Sequence, residues 1–273
     1  MEDRVQIRPS RVLQRLRAGG AVNCFKLNLS CARAAEIAAC LGFDCIWTDM
    51  EHTATEWSQV EKQILAAKTQ DVDVLVRVAR GSYSDYVRPL ELDAAGIMVP
   101  HVMSLNDARQ VVRITRFQPI GRRPVDGGNA DALYCNVPFV EYLQQANRER
   151  FVAIQIEDPE PLDELDAIAS VEGIDMIFFG PGDFSHAIGM PGETDHPRVR
   201  EVRRRVAEAA LAHGKFAGTM GDPDNIDELL DMGYRFINMG ADVIGLNEYC
   251  RGLVAEFEKR RTKLVSGPVA LIT

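Results

Sequence analysis

Two short apolar runs near the middle of the chain, Phe151-Val152-Ala153-Ile154 and Met176-Ile177-Phe178-Phe179, each give way within a few residues to an acid. The first leads into Gln155-Ile156-Glu157 and the second into Gly180-Pro181-Gly182-Asp183. Between them, apolar residues recur at Leu162, Leu165, Ile168 and Ala169 among acids, which is the spacing of one helix face. The pattern is that of a βαβ unit. Parallel strands joined by a right-handed crossover bring their C-terminal ends to the same side of a sheet, so Glu157 and Asp183 are expected to project into a common space. Two carboxylates placed there can hold a divalent cation. The plainer alternative is that each acid caps the helix that follows it.

The same alternation runs through the whole chain. Strands are expected at 21–27, 45–48, 74–78, 96–101, 151–157, 176–179, 216–220 and 236–239. Helical periodicity is read over 10–17, 32–40, 56–68, 86–95, 107–115, 138–147, 161–171, 196–213, 224–232 and 247–263. Eight strands alternating with helices predict an α/β fold of the (β/α)8 TIM-barrel type, with residues 1–273 forming one domain. The competing doubly wound sheet would carry a Gly-x-Gly-x-x-Gly turn after its first strand, and none is present there. Only residues 116–136 lose periodicity. This stretch, rich in Gly, Arg and Pro, is too long for an ordinary connection and is expected to be functional or mobile.

Charge narrows the partners. A net charge of -9, with local basic density only at 199–205, argues against a nucleic-acid ligand. No segment approaches the roughly 18 consecutive apolar residues of a membrane span. Residues 1–17 carry charges throughout, unlike a signal peptide, so a cytoplasmic location is expected. The cysteines Cys24, Cys31, Cys40, Cys45, Cys135 and Cys250 form no Cys-x-x-Cys pair and read as buried free thiols of a reducing compartment.

In a barrel the strand C-termini form the reactive face. In chain order those positions hold Asp49, Glu51 and His52; Arg77; His101; Gln155 and Glu157; Gly182 and Asp183; and Asp242. Carboxylate oxygens such as those of Glu157 and Asp183 suit Mg²⁺ or Mn²⁺, since the spacing offers no set of three histidines. Arg77 can grip a carboxylate through two N–H groups, and His52 can move a proton near neutral pH. Lys26, at the end of the first strand, is read as a solvated lysine or a contact to an acidic aldehyde rather than as an imine-forming residue. His101 is either a pocket residue or a histidine satisfied at its strand end.

Taken in order, Asp49-Met50-Glu51-His52, Val76-Arg77-Val78, Gln155-Ile156-Glu157, Val171-Glu172-Gly173-Ile174-Asp175 with Gly180-Pro181-Gly182-Asp183-Phe184-Ser185, and Met239-Gly240-Ala241-Asp242 resemble the HpcH/HpaI family. Its members are metal-dependent class II pyruvate aldolases acting on 4-hydroxy-2-oxo acids and 2-keto-3-deoxy sugar acids. The resemblance covers roughly residues 20–255. It implies a small-molecule 2-oxo acid substrate and a divalent cation, Mg²⁺ or Mn²⁺ with Co²⁺ as a third candidate, ligated by Glu157 and Asp183. It further implies that this cation acts as a Lewis acid on a pyruvate enolate, that Arg77 holds substrate oxygens beside Gln155, and that the amides of Gly182 and Asp183 receive the substrate carboxylate. His52 would be the general base, with Asp93 as its partner. Related members decarboxylate oxaloacetate or cleave acyl-CoA substrates, and a barrel that binds without catalysing is the alternative of a different class. Family members are generally trimers or hexamers that pack or exchange the last helix.

The chain departs from the family pattern at four places: Met50 where Gly is common, Cys24-Phe25-Lys26-Leu27-Asn28 where a Trp-containing strand is usual, about two extra residues between Arg77 and Asp93, and Arg122-Arg123-Pro124-Val125-Asp126-Gly127 in place of an Arg-Gly-x-Gly loop. All lie toward the expected aldehyde side of the site.

Overall fold

Every expected strand is present, and each lies beside its neighbour in sequence. The structure, a computed structural model, describes residues 5–266. Strands β1 (Val22–Leu27), β2 (Cys45–Asp49), β3 (Asp73–Arg77), β4 (Gly96–Val99), β5 (Phe151–Ile156), β6 (Met176–Phe179), β7 (Phe216–Met220) and β8 (Tyr234–Ala241) pair in parallel in that order. Contact between β8 and β1 closes the barrel. Around it run α1 (Arg11–Arg17), α2 (Ala32–Cys40), α3 (Trp57–Lys68), α4 (Tyr83–Glu91), α5 (Leu105–Thr115), α6 (Phe139–Glu149), α7 (Leu165–Ala169), α8 (Pro181–Ala187), α9 (Pro197–Ala212), α10 (Ile226–Asp231) and α11 (Asp242–Ser266).

Both faces of these strands are buried, which explains why they read as continuous apolar runs rather than as alternating ones. Period-two alternation still sorts the side chains. On β5, Val152, Ile154 and Ile156 join the layer between strands and helices, while Phe151 and Ala153 join the barrel interior with Trp47, Leu75, Met98, Phe178 and Phe236. The Trp47 and Phe178 rings meet edge-on with centroids 5.5 Å apart. One more step along each interior row reaches Lys26, Asp49, Arg77 and Gln155, so the same parity that fills the core also turns these polar side chains into the top of the barrel. At the other end α1 closes the floor. Its Val12, Leu13 and Leu16 join the interior cluster, and Asp73 at the start of β3 accepts hydrogen bonds from Ser10 Oγ at 2.6 Å and Val12 N at 2.9 Å.

Several boundaries differ from the sequence expectation for identifiable reasons. The helix expected over 161–171 divides into a 3-10 turn, Glu160–Asp163, and the short α7, with Pro161 inside the turn. α4 starts earlier than expected because Ser82 and Asp85 form a reciprocal capping box, and it stops before Asp93, whose φ is 72°. α11 starts at Asp242, whose carboxylate accepts from the amides of Asn28, Leu29 and Val243. Asp242 therefore ties the end of β8 to the end of β1.

The aperiodic stretch 116–136 is anchored by its arginines, not loose. Arg116 is buried and donates to the carbonyls of Gly173, Asn147 and Arg150 and to Asp175. Arg123 is also buried, lies over the Phe117 ring at 4.6 Å, and pairs with Asp131 at 2.8 Å, which Tyr142 Oη also contacts. The sequence offers Arg116, Arg122 and Arg123 as the basic residues for an acyl-CoA phosphate patch, and two of them, Arg116 and Arg123, are thus committed to the fold.

Candidate active site

Asp49 ends β2 with its side chain fully buried, which is tolerable only because it is neutralised. Arg77 ends the neighbouring β3 and grips it from two atoms, Nε to Oδ1 at 3.0 Å and Nη2 to Oδ2 at 2.6 Å. Lys26 Nζ, from the other neighbouring strand, lies 2.9 Å from Oδ2. Burial alone would raise the Asp49 carboxyl, but the hydrogen bonds and charge of Arg77, with Lys26, outweigh it and hold the group at about 2. Lys26 and Arg77 both lie over Trp47, at 5.2 and 4.9 Å from the ring centroid. Lys26 is therefore not the solvated surface lysine of the simpler sequence reading.

Arg77 reaches a second acid: its Nη1 is 3.0 Å from Glu51 Oε2. His52 Nε2 lies 3.5 Å from the same oxygen, with the imidazole about half exposed. The expected partner of His52 is elsewhere. Asp93 precedes β4, at the N-terminal end of the barrel, where Lys68 Nζ and Arg150 Nη2 bind its two oxygens. Within the chain it is a buried structural acid, and the carboxylate beside His52 is Glu51. The family pattern located Asp93 in the sequence, but strand direction sends the residue before a strand and the residue after one to opposite ends of a barrel.

Glu157, just past β5, is 1% exposed. Its Oε1 accepts the His101 backbone N–H at 2.9 Å, and its Oε2 accepts from Gln155 Nε2. Gly180 makes this approach sterically feasible, since a Cβ there would lie 2.6 Å from Glu157 Oε2 and 2.8 Å from Gln155 Nε2. Burial raises the Glu157 carboxyl from its ordinary 4.5 to about 7; the His101 contacts oppose this, and the charges of Asp183 and Glu51 reinforce it.

Glu157 also belongs to a trio. Glu51, His101 and Glu157 each place a ligand atom within 4.8 Å of the other two. Asp183, in the first turn of α8, lies outside this trio on an exposed position, although its charge is felt at Glu157. Gly182 precedes it, with open space where a Cβ would sit. The first-turn amides of a helix have no intrahelical acceptor.

The charges do not balance. Lys26, Arg77 and the titratable His101 stand against the five carboxylates of Asp49, Glu51, Glu157, Asp158 and Asp183. Gln155 Oε1, buried beside Glu157, has no hydrogen-bond partner. Buried carboxylates with too few counter-charges and an orphaned amide oxygen are a donor set that suits a hard divalent cation. Asp158 was missed in the sequence reading: its Oδ2 lies 2.8 Å from His101 Nδ1, and its only signal was its place directly after Glu157.

Comparison with known proteins agrees with this geometry. The sequence profile described as HpcH/HpaI aldolase/citrate lyase matches residues 24–247. A 2-keto-3-deoxy-L-rhamnonate aldolase from Klebsiella pneumoniae is 35% identical over 211 residues, 77% of this chain and 79% of that enzyme. A hydroxypyruvate/pyruvate aldolase from Pseudomonas aeruginosa is 32% identical over 250 residues, 91% of this chain and 93% of that enzyme. Among solved structures, an HpcH/HpaI aldolase from Desulfitobacterium hafniense superposes with a TM-score of 0.86 at 30% identity, covering 90% of this chain and 96% of its own. Barrel, strand-end acids and sequence all converge, and the chain belongs to the HpcH/HpaI aldolase/citrate lyase family.

Proposed function

We propose that this enzyme is a divalent-metal-dependent aldolase that cleaves a 4-hydroxy-2-oxo acid or 2-keto-3-deoxy sugar acid reversibly to pyruvate and an aldehyde. The observation that carries the metal-dependent part is Glu157, a carboxyl buried among other acids at the C-terminal end of the barrel and raised to about 7. Glu157 and Asp183 are the expected ligands, and the cation is Mg²⁺, Mn²⁺ or Co²⁺. A cation held there supplies Lewis-acid stabilisation for charge developing on the 2-oxo group.

The remaining roles belong to side chains. Asp49 takes the Nε and one Nη2 N–H of Arg77, and Glu51 lies beside Nη1 as an ion pair, so the guanidinium, with five N–H groups, keeps hydrogens on both Nη atoms for substrate oxygens. Gln155 stands alongside, and the Gly182 and Asp183 amides receive the substrate carboxylate. His52, next to Glu51, takes the C4 hydroxyl proton as the C3–C4 bond breaks, and its electron pair passes into the pyruvate half. That half recovers a proton at C3, either the one His52 has taken or one from water.

Two broader expectations go with this reading. α11 exposes Val243, Ile244, Leu246, Tyr249, Leu253, Val254 and Phe257, an apolar face that favours a homo-oligomer, a trimer or hexamer, over an isolated chain. Among the described residues no helix is long and apolar enough to cross a membrane. Only Cys24 and Cys45 are buried as expected; the free thiols of Cys31, Cys40, Cys135 and Cys250 are exposed, and thiols at the surface suit a reducing cytoplasm.

The test is deuterium exchange into the pyruvate methyl group, followed by NMR with Mg²⁺ or Mn²⁺ and then with EDTA. Exchange that needs the metal is expected. Exchange that persists unchanged in EDTA, or its absence with every metal, would remove this reading.

A further inference from the structure

His101 is held more firmly than a histidine at a strand end needs to be. It follows Pro100 at the end of β4 and has a φ of 49°, a left-handed conformation uncommon for a residue other than glycine. Its backbone N–H is bound to Glu157 Oε1 at 2.9 Å, and its ring Nδ1 to Asp158 Oδ2 at 2.8 Å. These two contacts, both to the segment after β5, set the ring plane and direct the Nδ1 proton to Asp158. Nε2 is then turned toward Glu51 Oε1 at 3.6 Å. Burial disfavours a proton on this ring, the Asp158 hydrogen bond and the charges of Glu157, Asp158 and Glu51 outweigh it, and a metal ion can take that proton's place between Nε2 and Oε1. Neither the arginine nor the lysine of the site is paired with this side of Glu51: Arg77 holds the other oxygen, Oε2, and Lys26 is on Asp49.

An imidazole oriented by a carboxylate on one nitrogen and open on the other is the usual arrangement of a metal-binding histidine and its supporting acid. The surroundings add an independent sign, the buried Gln155 Oε1 that lacks any partner next to Glu157.

We propose that His101 Nε2 is a ligand of the cation in this site, together with Glu51 and Glu157, and that Asp158 is its positioning residue. The inference rests on the metal-dependent reading above and adds to its ligands a nitrogen donor and the Glu51 carboxylate. A nitrogen donor has a measurable consequence. Carboxylate and water oxygens hold Mg²⁺ and Mn²⁺ adequately, whereas one imidazole tilts the site toward Co²⁺, Ni²⁺ and Zn²⁺.

The experiment uses the full chain stripped of metal and titrated with Co²⁺ and with Mg²⁺ by calorimetry, with the Co²⁺ visible spectrum recorded in parallel. In His101→Asn, chosen because asparagine accepts the left-handed backbone, Co²⁺ affinity is expected to fall by about 10- to 100-fold. Mg²⁺ affinity should change several-fold less, and the Co²⁺ spectrum should shift. Asp158→Asn should weaken Co²⁺ binding in the same direction. A measurement that needs no variant is pulsed EPR of the wild-type protein with Mn²⁺, where coupling to an imidazole nitrogen is expected. Absence of that coupling, or equal Co²⁺ affinity and identical spectra in wild type and His101→Asn, overturns the proposal. If Glu157→Gln abolishes binding while His101→Asn does not alter it, only this inference fails. If Glu157→Gln binds metal like wild type, the metal site itself has been misassigned.

Discussion

The two ends of the barrel carry the same residue type in opposite circumstances. At the N-terminal end, aspartates stand before or at the start of strands, and each has its counter-charge. Asp44 lies 3.3 and 3.2 Å from Arg11 and Arg15, Asp73 lies 2.6 Å from Arg8, Asp93 meets Lys68 and Arg150, and Asp175 meets Arg116. At the C-terminal end Asp49 is matched in this way by Arg77 and Lys26, and Arg77 also reaches Glu51. Glu157, nearly fully buried like the acids of the floor, has amide donors and the titratable imidazole of His101 but no arginine or lysine, and its carboxyl is displaced upward where that of Asp49 is displaced downward. An acid at a strand end is therefore not by itself a sign of chemistry. The sign is an acid whose burial the protein has left uncompensated.

The contrast breaks most visibly at Glu157. Glu157→Gln should lower turnover by more than about 100-fold, because it would remove a proposed metal ligand rather than a supporting contact, while thermal unfolding should find the metal-free protein no less stable than wild type. A variant that keeps its activity would dismiss the functional assignment of this end.

Asp93→Asn should do the reverse. Breaking a buried pair leaves Arg150 and Lys68 short of charge and should cost about 3 kcal/mol in urea unfolding, with turnover per folded molecule retained. If folded Asp93→Asn instead loses turnover and its pH profile moves, Asp93 serves a His52 after all, one reached across an interface between copies.

The pH dependence of stability sharpens the comparison further. A carboxyl raised in the folded state binds its proton more tightly there than in the unfolded chain. Stability of the metal-free protein should therefore fall as pH rises from about 4.5 to about 7, by an amount on the order of a few kcal/mol, and level off above that. Asp49 has the opposite sign: its contribution is present above the ordinary carboxylate range and is lost as pH falls toward about 2. Urea titrations at several pH values should show the first slope in wild type and not in Glu157→Gln.

The smallest effect separates two neighbouring glycines. Gly180→Ala should destabilise by about 1–3 kcal/mol and weaken metal binding, since its Cβ would press on Glu157 and Gln155. Gly182→Ala, with nothing near its Cβ, should leave stability within about 0.5 kcal/mol of wild type. Equal losses at both positions would mean that the close approach at Gly180 is not what holds Glu157 in place.

Much of this was legible before any coordinates. Eight apolar runs, each ending in a polar residue, placed Asp49, Arg77, Gln155 and Glu157 at one end of a barrel, because strand direction and a period of two are local properties of the backbone. The anchoring of the stretch 116–136 was not legible, because nothing in its composition distinguishes an arginine that solvates a loop from one such as Arg116 that is buried against four carbonyl and carboxylate groups. Asp93 and His52 were linked by family pattern, and the fold separates them.

Which residues turn inward, and at which end of the barrel, thus follows from the order of amino acids, since nearest-neighbour sterics set the alternation and the chain direction sets the end. Which of those residues meet is a different matter. Glu51 after β2, His101 after β4 and Glu157 after β5 are separated by about 50 residues at each step, and they converge because closure of the barrel brings three strand ends to one rim. Long-range closure also decides which acids acquire a counter-charge, and with it the difference between the floor that holds the barrel together and the mouth that is left charged for chemistry.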